Sequence, residues 1–192
     1  TFSAPCLDGA LQFPNNNKNP TADVWEFSFN CTSTGWDEKF LIGFPQTPQS
    51  SPRPLLVLWH SWRRTHKETW EDTSFFEEAT KKNWYVIAPL AAHEWHKGIE
   101  YAQRNTEELI SFMDSYLPTL IPTTGGFDPE RIYAAGFSMG GSAVAYGCRH
   151  LDPTKFPFAA IFNLSGQTSA AYQWQNLLAP KTADPSAPGT EI

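Results

Sequence analysis

The sequence is poor in charge and has no long uninterrupted apolar run. Charged residues make up 18% of its 192 residues, and apolar residues make up 41%. No segment approaches the roughly 18 consecutive apolar residues of a membrane-spanning helix, so no membrane span is expected. The net charge of −6 disfavours nucleic acid as a partner, because nucleic-acid binding usually needs a basic patch. The length suffices for one globular domain with a sizeable core.

Cysteine is also scarce, and its arrangement favours a secreted protein. Cys6 and Cys31 flank the N-terminal stretch and are predicted to form a disulfide, which leaves Cys148 over; an odd cysteine in a secreted chain suggests a missing partner. The sequon Asn30-Cys31-Thr32 is compatible with glycosylation and equally with chance. No signal-peptide pattern follows Thr1, so we expect that any such peptide has been removed or was never included in this sequence. Abundant aromatic residues, 15% with 8 Trp, are typical of a rigid extracellular chain.

Apolar periodicity divides the chain into strands and helices. Alternating residues predict strands over 24–30 and 38–44, after an irregular surface arm over 1–23. Continuous apolar runs predict strands buried on both faces, over 55–60, 84–90, 131–137 and 158–166. Helical spacing predicts helices over 66–83, 101–120 and 140–151, the second with Leu109, Phe112, Met113 and Tyr116 on one face.

Buried strands that alternate with helices predict an α/β fold. The sheet should be mostly parallel, with right-handed crossovers and the antiparallel pair at its N-terminal edge. The regular pattern stops after Gly166. We therefore interpret 1–166 as one domain and the Ala-, Pro- and Ser-rich stretch 167–192 as a loop or tail.

One motif predicts chemistry. Gly136-Phe137-Ser138-Met139-Gly140 is G-x-S-x-G between a buried strand and a helix of small residues. A serine at such a sharp turn has a strained backbone and projects its hydroxyl above the sheet edge, while the flanking glycines let strand and helix approach. The helix N-terminus offers backbone donors to an oxyanion. The pattern predicts Ser138 as a nucleophile; an ordinary Gly-rich turn is the alternative.

The stretch FDPERIYAAGFSMGG, residues 127–141, resembles the strand and elbow of secreted α/β-hydrolases. The similar groups are feruloyl esterases, polyhydroxybutyrate depolymerases and prolyl-oligopeptidase-like hydrolases. The likeness spans about residues 38–166 and includes PLLVLWHSW, residues 54–62, which is similar to the family's strand ending in His-Gly-x. It implies an α/β-hydrolase fold whose C-terminal strands are missing here, and a serine esterase that needs no cofactor.

The resemblance also implies an oxyanion hole made of backbone N–H groups. One donor follows the nucleophile and corresponds to Met139, and the other corresponds to Trp62. Ser61 stands where the family usually has glycine. The family's equivalent of His60 supports this loop and is not the catalytic base.

The other members of the triad are hard to place. The family order is serine, then Asp or Glu, then His, and both partners follow strands beyond the one that ends at Gly166. His150 lies twelve residues down the elbow helix, about 18 Å from Ser138, and Asp152 fails for the same reason. Asp184 and Glu191 fall in the tail. The favoured interpretation is an N-terminal part of a hydrolase completed by its own C-terminal remainder; a naturally short pseudo-enzyme is the other.

His93, Trp95 and His96 follow the strand at 84–90, on the predicted ligand-binding rim. They could contact substrate, form a plain exposed loop, or supply a substitute base. A metal is not predicted, because HEWH lacks the H-E-x-x-H spacing and a third ligand.

The predicted function is hydrolysis of a small or polymeric carboxylic ester; a serine peptidase and a non-catalytic binding protein are the alternatives.

Overall fold

The structure is a computed structural model of the chain. It describes residues 11–12, 24–31, 36–47, 50–90, 106, 109–110, 113–114, 125–147 and 158–166. The tail predicted over 167–192 lies outside the described residues.

The described strands form one mixed sheet of seven strands. They are β1 Leu11–Gln12, β2 Val24–Cys31, β3 Trp36–Gly43, β4 Arg53–Trp59, β5 Tyr85–Pro89, β6 Phe127–Phe137 and β7 Phe158–Leu164. Their spatial order is β1-β2-β3-β5-β4-β6-β7. β4 is parallel to β5 and β6, and β6 is parallel to β7, whereas β1, β2 and β3 join by antiparallel pairing. The predicted mostly parallel sheet with an antiparallel N-terminal edge is confirmed.

Three helices have defined bounds: α1 His66–Glu71, α2 Phe75–Lys81 and α3 Met139–Gly147. The first begins with a capping box, in which the Thr65 side chain accepts a bond from the helix backbone and Glu68 bonds back to the Thr65 amide. Farther along the chain, described residues 106, 109 and 110 are helical and buried, as the predicted apolar face of helix 101–120 requires. Phe112 and Tyr116 lie outside the described residues.

The prediction of a single helix over 66–83 is wrong, because the segment forms α1 and α2 with a break at Asp72–Ser74. The Thr73 hydroxyl donates to the Thr69 carbonyl, and the Phe75 amide donates to the Thr73 hydroxyl oxygen at 3.4 Å. Short polar side chains that bond the local backbone compete with the helical ladder. Apolar residues lie in both helices, so the sequence pattern was interpreted as one helix.

The prediction that the strand at 158–166 is buried is also wrong. Ile161 and Phe162 of β7 are 38% and 51% exposed. β7 is the outermost strand of the described sheet, next to β6, and the continuous apolar run resembled a strand covered on both faces. The predicted surface arm over 1–23 needs a smaller correction, because Leu11 and Gln12 pair with Phe27 and Glu26 of β2.

The sheet separates two apolar cores. On one face, α3 and the buried residues Leu109 and Met113 pack on a core that includes Trp59 and Ile132. On the other face, α1 and α2 contribute Trp70, Phe76 and Ala79 to a core with Leu56 and Leu58. β4 supplies side chains to both cores, which is why its run from Leu55 to Trp59 is apolar throughout. The carboxyl ends of β4, β6 and β7 consequently meet at one rim of the sheet.

Candidate active site

Ser138 occupies the turn between β6 and α3. β6 ends at Phe137, α3 begins at Met139, and Ser138 between them has φ 52°, in the left-handed region. A serine pays a steric cost there that glycine would avoid, so the surrounding structure must impose the conformation. The Ser138 carbonyl accepts the Ser142 amide at 3.1 Å, which starts the helix, and the Ser138 side chain is exposed. The predicted strand-to-helix turn is therefore present.

Two glycines allow this turn to close. A Cβ on Gly136 would lie closer than 3.0 Å to backbone atoms of Gly140 and Gly141. A Cβ on Gly140 would lie equally close to the carbonyl groups of Trp59 and His60. The motif glycines therefore do more than release the turn, because Gly140 also brings the end of β4 against the start of α3.

The loop after β4 is bonded to the elbow. The Ser61 hydroxyl donates to the Phe137 carbonyl, one residue before Ser138, at 3.3 Å. His60 is buried, with Nδ1 2.7 Å from the Ser61 carbonyl oxygen and Nε2 2.7 Å from the Leu90 carbonyl oxygen. The imidazole thus joins the loops that follow β4 and β5, the position of a loop-supporting histidine.

Ser61 replaces the glycine that is usual in this loop without requiring a positive φ, and its hydroxyl becomes an anchor. A turn follows, closed by the Arg64 amide donating to the Ser61 carbonyl at 3.2 Å. Trp62 in this turn is 48% exposed, and Arg63 has φ 55°. Trp62 is therefore on the rim, beside the elbow; the donor roles assigned to Trp62 and Met139 stay predictions.

β7 holds the elbow from the other side. The Ser138 amide donates to the Leu164 carbonyl at 2.8 Å. The Asn163 carboxamide oxygen accepts the Gly166 amide at 2.6 Å, and a Cβ on Gly141 would lie closer than 3.0 Å to that oxygen. Sequence reasoning missed Asn163 and the anchoring hydroxyl of Ser61. The signal available was the Asn-Leu-Ser-Gly run at the end of an apolar strand.

No family model and no curated protein matches the chain. Solved structures do match. A fluorophosphonate-binding serine hydrolase F of Staphylococcus aureus has a TM-score of 0.57 and 18% identity, and the match covers 85% of this chain and 63% of that one. An acetyl xylan esterase from Aspergillus awamori has a TM-score of 0.54 and 16% identity, with 85% and 53% covered. An acylaminoacyl peptidase from Pyrococcus horikoshii has a TM-score of 0.55 and 16% identity, with 82% and 25% covered.

This chain has the α/β-hydrolase fold. It spans 63% of the length of the staphylococcal hydrolase and 65% of that of an S-formylglutathione hydrolase from the same species. At identities of 15–19% the matches establish the fold alone.

Several predicted residues of this α/β-hydrolase fold are not described by the structure. His93, Trp95 and His96 lie outside the described residues, and so do His150, Asp152, Asp184 and Glu191. The two described histidines are both buried and bonded elsewhere: His60 to the loop carbonyls, and His66 through Nε2 to the Glu26 carboxylate at 2.7 Å. Neither is an exposed imidazole beside Ser138.

The His66–Glu26 pair joins α1 to β2. Burial lowers the pKa of His66 below its usual value, and the bond to Glu26 offsets this only in part. Burial raises the pKa of Glu26, but the hydrogen bond and charge of His66 and the charge of Lys67 outweigh it, so the net shift is downward. Lys67 lies 3.5 Å from the same carboxylate. His66 Nδ1 is buried without a partner in the described structure, so the ring stays neutral and donates from Nε2.

A groove of about 370 Å³ lies on the α2 face of the sheet. Its lining is mainly apolar and includes Leu56, Phe75, Trp84, Tyr133 and Phe162. Trp84 stacks on Tyr133 with ring centroids 4.8 Å apart. The groove continues the exposed surface of β7.

Neither a metal centre nor a membrane-spanning helix is found among the described residues. Their histidine, cysteine and acidic side chains form no group of three or more that could hold a metal ion. None of their helices is long and apolar enough to cross a membrane.

Proposed function

We propose that this chain is the nucleophile-bearing part of a serine hydrolase that cleaves carboxylic esters through an acyl-enzyme on Ser138. The observation that supports it is the backbone of Ser138: a non-glycine residue with φ 52°, exposed, between a buried strand and the first turn of α3. Strained residues of this kind persist where the surroundings over-determine them, and they cluster at functional sites. The structural neighbours named as serine hydrolases and esterases share the fold.

In the proposed reaction the Ser138 hydroxyl oxygen attacks the ester carbonyl carbon, and its proton passes to a general base. The carbonyl oxygen becomes an oxyanion held by the Met139 and Trp62 backbone N–H groups. When the tetrahedral intermediate collapses, the carbon–oxygen bond to the alcohol breaks and the base returns the proton to the leaving alcohol. Water then attacks the acyl-serine in the same way, releasing the acid and restoring Ser138.

Two features of the chain support Met139 as an oxyanion donor. It is the first residue of α3, and the amides of a first helical turn have no acceptor within the helix. The amide of Ser138 itself is already bonded to the Leu164 carbonyl. We therefore assign the oxyanion to the next amide along the turn, at the helix N-terminus, where the helix dipole also favours negative charge.

The acid and base of the triad are proposed to lie outside the described residues. The C-terminal remainder of a longer protein is the first candidate, because the matched hydrolases have more chain than this one. His93 and His96 are the second candidates, since they follow in the sequence after β5, a strand parallel to β4 as β6 is. His60 is not a candidate, because both of its ring nitrogens face backbone carbonyls.

Labelling with an alkyl fluorophosphonate tests the proposal. The 192-residue chain should label slowly at Ser138 and hydrolyse p-nitrophenyl acetate weakly, since oxyanion donors alone leave about 10³–10⁴-fold catalysis over water when a triad is broken. The protein with its C-terminal remainder should label fast. Ser138→Ala should abolish labelling, and Ser142→Ala, one turn along α3, should not. Failure of the completed protein to label would overturn the proposal and favour a non-catalytic binding protein.

Rapid labelling of the 192-residue chain would instead show that a base lies within it. His93→Ala and His96→Ala would then identify that base. A serine peptidase is the second candidate function, supported by the match to acylaminoacyl peptidase. Release of amine from an N-acylaminoacyl amide at a rate comparable with release of alcohol from the matching ester would favour it.

We also propose that the protein is secreted and acts on a small or polymeric ester, with Cys6 joined to Cys31, Cys148 joined to neither, and glycan at Asn30. Non-reducing peptide mapping of protein from a secreting host tests these features together. A Cys31–Cys148 link, or an unmodified Asn30, would refute the corresponding part. Asn163 also stands in a sequon, but its carboxamide is bonded beside the elbow, where a glycan would not fit.

A further inference from the structure

Backbone strain is concentrated along one rim of the sheet. The described residues other than glycine with positive φ are Arg63, Asn83, Ser138 and Ser165. Asn83 follows the C-cap of α2, and asparagine tolerates this conformation at helix ends. Ser138 and Ser165 directly follow β6 and β7, and Arg63 lies four residues beyond the end of β4. These three strands are neighbours whose carboxyl ends meet. Ser138 has a proposed role in catalysis, but arginine has no intrinsic preference for a left-handed conformation.

Arg63 brings positive charge to this rim. The protein has net charge −6, yet three cationic residues fall within the five-residue stretch 63–67. Arg63 and Arg64 lie in the loop after β4, and Lys67 lies in the first turn of α1. Lys67 pairs with Glu26, and Arg64 interacts with the Glu68 carboxylate. Arg63 is exposed and has neither an ion pair nor a hydrogen bond in the part of the chain that the structure describes. Its guanidinium group is therefore available to a ligand.

The bonds of this loop place Arg63 near the nucleophile. The Ser61 hydroxyl contacts the Phe137 carbonyl, immediately before Ser138. Consecutive Cα atoms are about 3.8 Å apart, so the Arg63 Cα lies within about 7.6 Å of that of Ser61. The turn between Ser61 and Arg64 is closed by a backbone hydrogen bond, which fixes the direction in which residue 63 leaves it. A long side chain there can reach a group a few atoms from the scissile carbonyl.

We propose that Arg63 binds a carboxylate on the substrate, so that the preferred esters carry a carboxylate on either their acid or their alcohol part. The inference rests on the proposed function of Ser138. A guanidinium suits this task because it stays charged and offers paired N–H donors that match a carboxylate. The acidic remainder of the protein repels anions, so a local cation at the rim would be needed to hold an anionic substrate.

Two matched pairs of esters test the inference in the completed protein. In the first, 4-nitrophenyl hydrogen adipate is compared with its methyl-capped ester; in the second, 4-acetoxybenzoate is compared with methyl 4-acetoxybenzoate. We expect kcat/KM for the charged member of at least one pair to exceed that of the neutral member by about two- to fivefold, the scale of an exposed ion pair. Added salt should reduce the preference, because salt screens such pairs.

The variants separate charge from structure. Arg63→Gln should remove the preference and its salt dependence while leaving kcat/KM for the neutral esters unchanged, and Arg63→Lys should restore part of it. Lys82→Gln, an exposed lysine at the end of α2, is the matched control and should change neither. Equal rates for charged and neutral esters in both pairs, with Ser138 still labelled by a neutral fluorophosphonate, would overturn the inference alone. If Ser138 is not labelled and no ester is hydrolysed, the proposed function fails and the inference fails with it.

Discussion

β6 and β7 are hydrogen-bonded neighbours, yet they have opposite surroundings. At the end of β6 the backbone packs directly against neighbouring backbone, because Gly136 and Gly140 have no side chain and an added Cβ at either position would overlap it. One strand away, Ile161 and Phe162 are 38% and 51% exposed beside an apolar groove. The first region is a junction in which small changes are costly, and the second is a surface that tolerates them. Rigidity in this fold is therefore local to the elbow rather than a property of the whole sheet.

The largest difference in stability should appear between alanine variants of two phenylalanines on the same face of the sheet. Phe76 on α2 is fully buried and Phe162 is half exposed. We expect Phe76→Ala to lower the free energy of unfolding by about 3–5 kcal/mol. Phe162→Ala should lower it by less than about 1 kcal/mol. Urea unfolding of the two variants measures both; similar losses would mean that Phe162 is covered in solution.

At the elbow, the addition of a single methyl group should lower both the stability of the fold and the labelling of Ser138. Gly136→Ala places its Cβ against Gly140, and we expect a loss of about 3 kcal/mol together with loss of fluorophosphonate labelling. Gly126→Ala is the control: that residue also has an unusual φ, +70°, but an added Cβ meets nothing within 4 Å. Its cost should be about 1 kcal/mol, with labelling intact. If both variants label normally, the close approach at Gly136 is not required.

The pH dependence of stability tests the bond between His66 and Glu26, which joins α1 to β2 in the antiparallel part of the sheet. Burial keeps the folded-state pKa of His66 below its ordinary 6.5, so the unfolded chain takes up this proton first as the pH falls. Stability should therefore decline from about that pH downward, and decline again below the ordinary 4.5 of Glu26, whose folded pKa is also lowered. His66→Gln should flatten the first decline, since glutamine cannot titrate. An unchanged profile between pH 7 and 5 would argue against a neutral buried His66.

The smallest difference in stability should appear between alanine variants at the N-caps of two helices. Thr65 caps α1 beside the rim through a capping box, whereas Ser74 begins α2, beside the groove, without a side-chain bond. Thr65→Ala should cost about 1 kcal/mol in thermal or urea unfolding. Ser74→Ala should be nearly neutral. A larger effect at Ser74 would show that its hydroxyl bonds to a group outside the described residues.

The sequence predicted those features that depend on near neighbours in the chain. Gly136, Ser138 and Gly140 lie within five residues, and one local turn explains all three, so the amino-acid pattern alone locates the elbow. The Ser61–Phe137 bond joins residues 76 apart, and the His66–Glu26 bond joins residues 40 apart. Hydrophobic periodicity describes relations between near neighbours in the chain, so it does not predict hydrogen bonds between residues this far apart.

Burial of β7 could not be predicted for a related reason. The run FAAIFNL has the composition of a covered strand, and composition does not say which strand is outermost. The break between α1 and α2 was missed because apolar residues lie on both sides of it, Trp70 in α1 and Phe76 and Ala79 in α2. Two signals of the break were present: Trp70 and Phe76 are six residues apart, which does not keep them on one helical face, and short polar residues lie between the helices, from Asp72 to Ser74.

The bond from the Ser138 amide to the Leu164 carbonyl links the proposed nucleophile to the outermost described strand. Parallel strands keep a fixed separation of about 4.8 Å, so a shift of β7 along its own axis would move this acceptor away from the amide. The orientation of Ser138 therefore depends on how firmly β7 is held. Under the proposed function, a mutation on the exposed side of β7 should change the rate at which Ser138 is labelled, while every residue of the elbow stays in place.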